Sequence, residues 1–255
     1  SPFDRGLAFG DGVFRTFLIK DRNPIYWENQ YQKLSMDLEA IDIKPPSQKI
    51  LLTEIQKLFP AKGIFISKII VTRGKSQTGY DFNKGIKPTR ILLKIDFNIN
   101  KYEFFKKGVQ LTASNIRATK SANSGIKDLN RLENVLARKG ISRNFFDAIM
   151  VDSNENICDC ARSSLFIRYG NTLYTASNRS FGIHGVTKKI ICENVEKLKL
   201  TVDYSPLALN QLEKADEVIV SNSIVGALQV VGFKNTKWEK GTLANSITNL
   251  LNESA

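Results

Sequence analysis

Apolar and polar residues alternate along several short stretches of the chain, and this pattern predicts strands. In the first half, the predicted strands cover residues 12–20, 64–72, 90–97 and 109–115. Between the first two strands, Leu34, Leu38 and Ile41 recur at helical spacing. Ser47 is a suitable N-cap for a second helix that reaches Leu58. Together these segments predict an α+β unit with a mostly antiparallel sheet.

The second half of the chain follows a small, polar, glycine-containing stretch, residues 118–126, which is typical of a connection between domains. Helices are predicted at residues 128–143, 187–198 and 242–251, and strands at residues 148–152, 157–168, 172–176, 217–221 and 227–233. We therefore expect an N-terminal domain (1–117), a linker (118–126) and a C-terminal domain (127–255).

Composition and charge narrow the class of protein. The 255 residues are 42% hydrophobic and 24% charged, as in ordinary globular proteins. No apolar run approaches the roughly 20 residues of a membrane helix. The net charge of +12 is compatible with nucleic-acid binding, but the basic residues are scattered and no basic tail is present. A solvated, lysine-rich surface is favoured, and neither nucleic acid nor membrane is expected as a partner.

Three cysteines make an odd count at poor spacing for disulfides, which favours a reducing, cytoplasmic location. Cys158 and Cys160 are two residues apart, as in some metal or redox pairs. His184 is the single histidine, so the ligands for a zinc site are too few. Small buried strand residues are the favoured interpretation of the pair, and no metal is expected.

Three other features indicate a phosphate-bearing cofactor. Lys127 stands between a small-residue segment and a predicted helix, where partial desolvation would lower the pKa of its amine. Val186 and Thr187 open a helix after Gly185, and helix starts bind anions; Ser223 ends a strand and offers another hydroxyl. Asp159 lies in an apolar strand and needs a positive partner.

Each feature has an ordinary alternative. The helix start and the serine also fit a capped helix and a polar turn, and Asp159 also fits a local pair with Arg162. Taken together, a lysine amine, an anion cradle and a buried acid match the aldehyde, phosphate and ring nitrogen of pyridoxal phosphate.

Two motifs carry a family resemblance that spans nearly the whole chain. Residues 4–14, DRGLAFGDGVF, and residues 127–133, KDLNRLE, resemble signatures of the class IV pyridoxal-phosphate enzymes. That superfamily includes branched-chain and D-amino-acid aminotransferases, and the second motif is most similar to that of the 4-amino-4-deoxychorismate lyases. The resemblance implies a two-domain α/β fold of type IV, with an N-terminal α+β sandwich and a C-terminal β-barrel-like domain flanked by helices.

The resemblance also assigns roles to residues of this chain. Lys127 matches the lysine that binds the cofactor covalently, and Asp159 stands where the family has the glutamate facing the pyridine nitrogen. The remaining matches are the phosphate contacts Val186, Thr187, Ser223 and Lys33, the ring-proximal Arg117, the proton-transfer residue Thr16, and the substrate contacts Arg73 and Tyr80. Lys33 replaces the usual phosphate arginine, which exchanges a planar fork for a point charge.

The activity implied is conversion of 4-amino-4-deoxychorismate to 4-aminobenzoate and pyruvate, a step towards folate. The implied assembly is a homodimer that holds a small-molecule substrate and pyridoxal 5'-phosphate in the cleft between its domains. Two alternatives stay open at this point: a D-amino-acid or branched-chain-type aminotransferase of the same fold, and a basic binding protein without cofactor.

Overall fold

The fold is described from a computed structural model of the chain. The structure describes residues 1–60, 62–77, 79–83, 85–97, 103–177 and 182–254. The chain divides into two compact units, one of Ser1–Ile99 with Ile126–Arg131 and one of Asn100–Gly125 with Leu132–Ala255.

The first unit is a four-stranded antiparallel sheet with helices packed against it. Its elements are α1 (Arg5–Phe9), β1 (Gly12–Lys20), β2 (Asn23–Pro24), α2 (Trp27–Glu39), α3 (Gln48–Leu58), β3 (Ile64–Thr72) and β4 (Thr89–Asp96). The strand order is β2-β1-β3-β4. The predicted strand bounds of β1 and β3 are confirmed, and the Ser47 hydroxyl accepts the Ile50 N–H at the start of α3, as predicted.

One face of this sheet forms the core of the first unit. Val13, Phe17 and Ile19 alternate along β1 and are buried with Leu34 and Leu38 of α2. Side chains at alternate positions of a strand point to opposite faces. Phe14 and Thr16 therefore belong to the other face, where both are half-buried.

The edge of β1 near Gly12 is extended by a short segment that follows residue 125. Val13 and Asp128 form an antiparallel bridge, the Phe14 N–H donates to the Lys127 carbonyl at 3.0 Å, and the Leu129 N–H donates to the Gly12 carbonyl at 3.0 Å. These bonds fix the main chain of Lys127 beside the start of β1.

The second unit is built on a nine-stranded sheet that curls into a half-barrel. Its helices are α4 (Phe104–Lys107), α5 (Leu132–Arg138), α6 (Val186–Asn194) and α7 (Leu243–Glu253). Its strands are β5 (Val109–Ala113), β6 (Asp147–Val151), β7 (Ile157–Cys160), β8 (Ser164–Tyr169), β9 (Thr172–Tyr174), β10 (Thr201–Asp203), β11 (Glu217–Asn222), β12 (Gly226–Phe233) and β13 (Thr236–Lys237). The order is β10-β9-β8-β11-β12-β5-β6-β7, with β13 on β12.

The structure differs from three sequence predictions. The predicted helix over 128–143 covers only Leu132–Arg138. Before it, residues 127–129 bond to β1, and the Arg131 N–H donates to the Leu129 carbonyl in a turn. The predicted strand over 157–168 is two strands, β7 and β8, separated by a bend. The proposed first domain, 1–117, includes β5, which instead pairs with β6 and β12 in the sheet of the second unit.

Within the described residues, no helix is both long and apolar enough to cross a membrane. Across the same part of the chain, no group of three or more His, Cys, Asp or Glu side chains is arranged to hold a metal ion.

Candidate functional site

Lys127 lies beside the start of β1, and its amine lies over an aromatic ring. Its Nζ is 4.7 Å from the centroid of the Phe14 ring, and Nζ of Lys68 is 4.9 Å from the same centroid. Thr16 is two residues after Phe14 on β1 and pairs with Lys68 across the sheet. The first unit therefore brings the predicted lysine and the predicted proton-transfer threonine to one face of its sheet.

The environment of Lys127 favours the neutral amine. Burial, followed by the nearby positive charges of Arg15 and Arg131, lowers the pKa of Lys127 to about 7, while the Asp37 carboxylate opposes the shift. An ordinary lysine is almost fully protonated at neutral pH. Lys127 is about half neutral there, so it can act as a nucleophile or as a base.

Asp159 lies on β7 and is held by neighbours from β8. Its Oδ1 accepts the Leu165 N–H at 2.7 Å, and its Oδ2 accepts the Ser164 hydroxyl at 3.3 Å. Burial raises the pKa of Asp159 to about 6, although the positive charge of Lys188 and these two hydrogen bonds act in the opposite direction. The group is a carboxylate at neutral pH, and a further positive partner would stabilise it.

Arg162, the alternative partner for Asp159, donates through Nη2 to the Phe146 carbonyl at 2.6 Å and lies over the Phe146 ring. Lys188 donates through Nζ to the Ala176 carbonyl at 2.6 Å and is nevertheless the cation that acts most strongly on Asp159.

The start of α6 gathers hydroxyl groups around free backbone N–H groups. Gly185 is the N-cap and offers no side chain to the first turn. The Thr187 Oγ1 lies 3.1 Å from the Ser223 Oγ, so two predicted phosphate contacts meet here. Ser221 is buried two residues before Ser223, and its Oγ has no hydrogen-bond partner among the residues that the structure describes. A helix start with several hydroxyls is a site for an anion.

Two other predicted cofactor contacts are engaged in ion pairs. Lys33 lies on α2 and pairs with Asp37 one turn further along the helix. Burial lowers the pKa of Lys33, and the Asp37 carboxylate opposes this shift. Arg117 pairs with Glu155 in the second unit, and both side chains are about half exposed to solvent.

The two predicted substrate contacts are a buried arginine and an exposed tyrosine. Arg73 donates two hydrogen bonds to Asp11 and one each to the carbonyls of Ile41 and Asp42. Its guanidinium therefore stabilises the first unit. Tyr80 is 87% exposed, with its ring centroid 5.5 Å from that of Phe9.

Comparison with known proteins gives the family. The family model for amino-transferase class IV matches residues 12–233. This chain belongs to the class IV aminotransferase family. The predicted family is thereby confirmed, and so is the predicted fold class.

The relatives of this class IV chain include two different activities. It is 25% identical over 232 residues to the aminodeoxychorismate lyase of Vibrio harveyi, covering 90% of this chain and 86% of the relative. It is also 25% identical over 239 residues to the D-alanine aminotransferase of Listeria monocytogenes, covering 87% and 78%. The crystal structure of 4-amino-4-deoxychorismate lyase from Pseudomonas aeruginosa has a TM-score of 0.89, with 29% identity, and covers 99% of this chain and 94% of that one.

The groups of this class IV chain fit pyridoxal phosphate by their chemistry. The first unit offers an amine whose pKa is about 7. The second offers the carboxylate of Asp159, whose pKa is about 6, and a helix start with the hydroxyls of Thr187 and Ser223. An aldehyde, a protonated ring nitrogen and a phosphate are the respective complements of these groups.

Sequence reasoning missed the groups that hold the predicted residues in place. Ser164 supports Asp159, and Asp37 supports the main chain of Lys127 through a hydrogen bond at 3.2 Å. One signal for Asp37 was available, because an acid four residues after Lys33 lies on the same side of the predicted helix. The contact of Asp37 with Lys127 joins residues 90 positions apart and has no local signal.

Proposed function

We propose that this chain is a pyridoxal-phosphate-dependent lyase that converts 4-amino-4-deoxychorismate to 4-aminobenzoate and pyruvate. The observation that carries the proposal is the half-buried Lys127 beside β1, whose amine has a pKa of about 7, in a chain of the class IV family. The choice of the lyase is supported by the 29% identity to the Pseudomonas aeruginosa lyase over 99% of this chain.

Five residues would hold the cofactor. Lys127 would bind its aldehyde covalently, Asp159 would face its ring nitrogen, and the N–H groups and hydroxyls of Val186, Thr187 and Ser223 would bind its phosphate. When bound, pyridoxal phosphate supplies an aldehyde that captures the substrate amine and a ring that accepts electrons from the adjacent carbon. Lys33 and Arg117 are engaged with Asp37 and Glu155, so the proposal does not depend on them.

Three residues of the chain would accept, hold or donate the protons of the reaction. Lys127, once free, would accept the proton from the carbon that bears the substrate amine, because its amine is about half neutral at pH 7. Asp159 would keep a proton on the ring nitrogen through its negative charge. Thr16, on the same sheet face as Phe14, would donate a proton to the departing enolpyruvate. Loss of that group makes the substrate ring aromatic.

We further propose that the active form is a homodimer, as the family resemblance implies. Sedimentation of the purified protein at several concentrations tests it, and a mass that remains that of one chain at all of them contradicts it.

The cofactor assignment is tested by borohydride trapping. Wild type mixed with pyridoxal phosphate should become yellow, and reduction should leave one cofactor on the peptide that contains Lys127. Lys127→Ala should trap none, whereas Lys120→Ala, which changes an exposed lysine of the same region, should behave like wild type. A wild type that stays colourless, and instead binds nucleic acid in a salt-sensitive way, would indicate the basic binding protein.

The choice between lyase and aminotransferase needs a separate assay, since the D-alanine aminotransferase of Listeria monocytogenes is as similar as the Vibrio harveyi lyase. The loaded protein is given aminodeoxychorismate in one reaction and a D-amino acid with 2-oxoglutarate in another. Pyruvate and 4-aminobenzoate in the first reaction alone support the lyase. Amino-group exchange in the second reaction alone means that the chain is an aminotransferase.

A further inference from the structure

Asp37 is a buried carboxylate on α2 that lies next to two cationic side chains and accepts a hydrogen bond from the main chain of Lys127. Its side chain is 2% exposed. Oδ1 pairs with Nζ of Lys33, and Oδ2 accepts the backbone N–H of Lys127 at 3.2 Å. Nη1 of Arg15 lies 3.9 Å from the same Oδ2. One acid therefore connects α2, β1 and the segment that carries Lys127.

Arg15 is the main cation that opposes Asp37 in its effect on Lys127. The arginine is buried on β1 and donates from Nε and Nη2 to Gln30 Oε1, at 3.3 and 3.1 Å. Burial lowers the pKa of Arg15 to about 10, while Asp37 opposes the shift, so Arg15 stays charged at neutral pH. Gln30 is neutral, which leaves Asp37 as the acid that faces this guanidinium.

The amine of Lys127 lies among more cations than acids. Among the described residues, the charged groups that act on it are Arg15 of β1, Asp37 of α2, Lys68 of β3 and Arg131 of its own segment, and Lys33 pairs with Asp37. Asp128 is paired with Arg131. Asp37 is therefore the carboxylate that offsets the repulsion between Lys127 and Arg15.

We propose that Asp37 is a positioning residue for Lys127: it fixes the main chain of the lysine and, against Arg15, sets the pH at which the amine loses its proton. The use of that amine in catalysis rests on the proposed function, but the amine's charge state does not. If the proposal holds, removing the negative charge makes the amine easier to deprotonate, and removing the positive charge makes it harder.

The test measures the amine directly, without cofactor or substrate. Folded protein is labelled with a trace of acetic anhydride at a series of pH values, and mass spectrometry gives the acetylation rate of Lys127. In wild type, the rate should reach half of its maximum near pH 7, because only the neutral amine reacts. Asp37→Asn should move this midpoint down by about one pH unit, and Arg15→Gln should move it up by about as much.

The controls separate this role from a merely structural one. Glu39→Gln removes an exposed acid from the end of the same helix and should leave the midpoint where it was. General loosening of the fold would move the midpoints of both test variants upward, toward that of an ordinary lysine. Unchanged midpoints, or two shifts of the same sign, would overturn the proposal. If Asp37→Asn does not fold, Asp37→Ser, which also removes the negative charge, takes its place and should likewise move the midpoint down; an upward or absent shift would overturn the proposal.

The two proposals fail separately. Opposite shifts of the midpoint in a protein that traps no pyridoxal phosphate would leave the role of Asp37 standing and remove the proposed function. Normal trapping by wild type, together with a midpoint that neither variant moves, would remove the role of Asp37 alone.

Discussion

At the scale of single residues, Asp159 is an acid whose charge changes in the pH range where enzymes work. Burial raises its pKa to about 6, so it is protonated below that pH and negative above it. A protonated ring nitrogen binds the carboxylate and not the acid. Affinity for the cofactor should therefore weaken as pH falls through about 6, by up to roughly tenfold per pH unit.

The measurement uses pyridoxine 5'-phosphate, which lacks the aldehyde and so cannot react with Lys127. Its dissociation constant is measured by fluorescence across this pH range for wild type and for Asp159→Asn. The phosphate itself titrates near pH 6 in both proteins, so only the difference between them reports Asp159. The variant should bind roughly 10- to 100-fold more weakly at neutral pH, and the two affinities should converge in acid. Parallel pH curves would show that Asp159 does not face the ring.

Thr187 and Ser223 allow the proposed phosphate site to be tested, because their hydroxyls lie 3.1 Å apart at the start of α6. Thr187→Val keeps the shape of the buried side chain and removes the hydroxyl, and Ser223→Ala does the same for the serine. A hydrogen bond to a charged phosphate is worth about 1.5–3 kcal/mol, so each change should weaken binding of pyridoxal phosphate roughly tenfold or more.

Pyridoxal without phosphate is the matched ligand for this test. Its dissociation constant should be the same in wild type and in both variants, since neither hydroxyl would contact the rest of the molecule. Equal weakening for both ligands would mean that the substitutions disturb the protein and do not remove a phosphate contact.

At the scale of elements, Arg5 of α1 ties down the loop that carries Tyr80. Its Nε donates to Asp11 at 2.8 Å, and its terminal nitrogens donate to the carbonyls of Gly79, Tyr80 and Asp81. Lysine keeps the charge but cannot reproduce this planar fork. Arg5→Lys should therefore release the loop. Since a protease cleaves only a locally unfolded chain, the release should make the loop easier to cleave.

Cleavage after Tyr80 by chymotrypsin under native conditions measures this release. The rate should rise several-fold in Arg5→Lys, as expected for the loss of about 1–2 kcal/mol of local stability. Arg143→Lys, an exposed arginine of the second unit, serves as the matched change and should leave the rate unaltered. A loop that is cut equally fast in all three proteins is not held by Arg5.

The sequence predicts best those strands and helices that bury one face, because burial sets the pattern of their apolar residues. The bounds of β1 and β3 were predictable because apolar residues dominate both strands, and burial alternates along β1, where one sheet face packs on α2. The segment 127–131 was expected to begin a helix, yet the backbone of residues 127–129 bonds to β1 instead. That competing contact joins distant parts of the chain, so local propensity does not reveal it.

The residues of the candidate site likewise fall into those with a local sequence signal and those without one. Lys127, Asp159 and Thr187 can be proposed as site residues from the sequence because each stands in a motif or at an element boundary with a chemical signature. Asp37 and Ser164 cannot, because their importance comes from contacts with Lys127 and Asp159 that exist only in the folded chain.

At the scale of the whole molecule, the net charge of +12 creates an attractive field for anions. Salt weakens such a field, because the screening length falls from about 10 Å at 0.1 M to about 3 Å at 1 M. Attraction of this kind raises association rates by roughly 10-fold or more at low salt. Pyridoxal phosphate is an anion, so its association with the apoprotein should slow as sodium chloride is added.

Pyridoxal separates this effect of charge from other effects of salt, because it carries the same aldehyde without the phosphate. Stopped-flow absorbance gives both association rates as salt increases. We expect the rate for pyridoxal phosphate to fall roughly tenfold while that for pyridoxal stays nearly constant. If both rates fell together, salt would be acting on Lys127 or on the fold. If neither fell, the positive charges would be too scattered to direct an anion to the site, and the net charge would serve solvation alone.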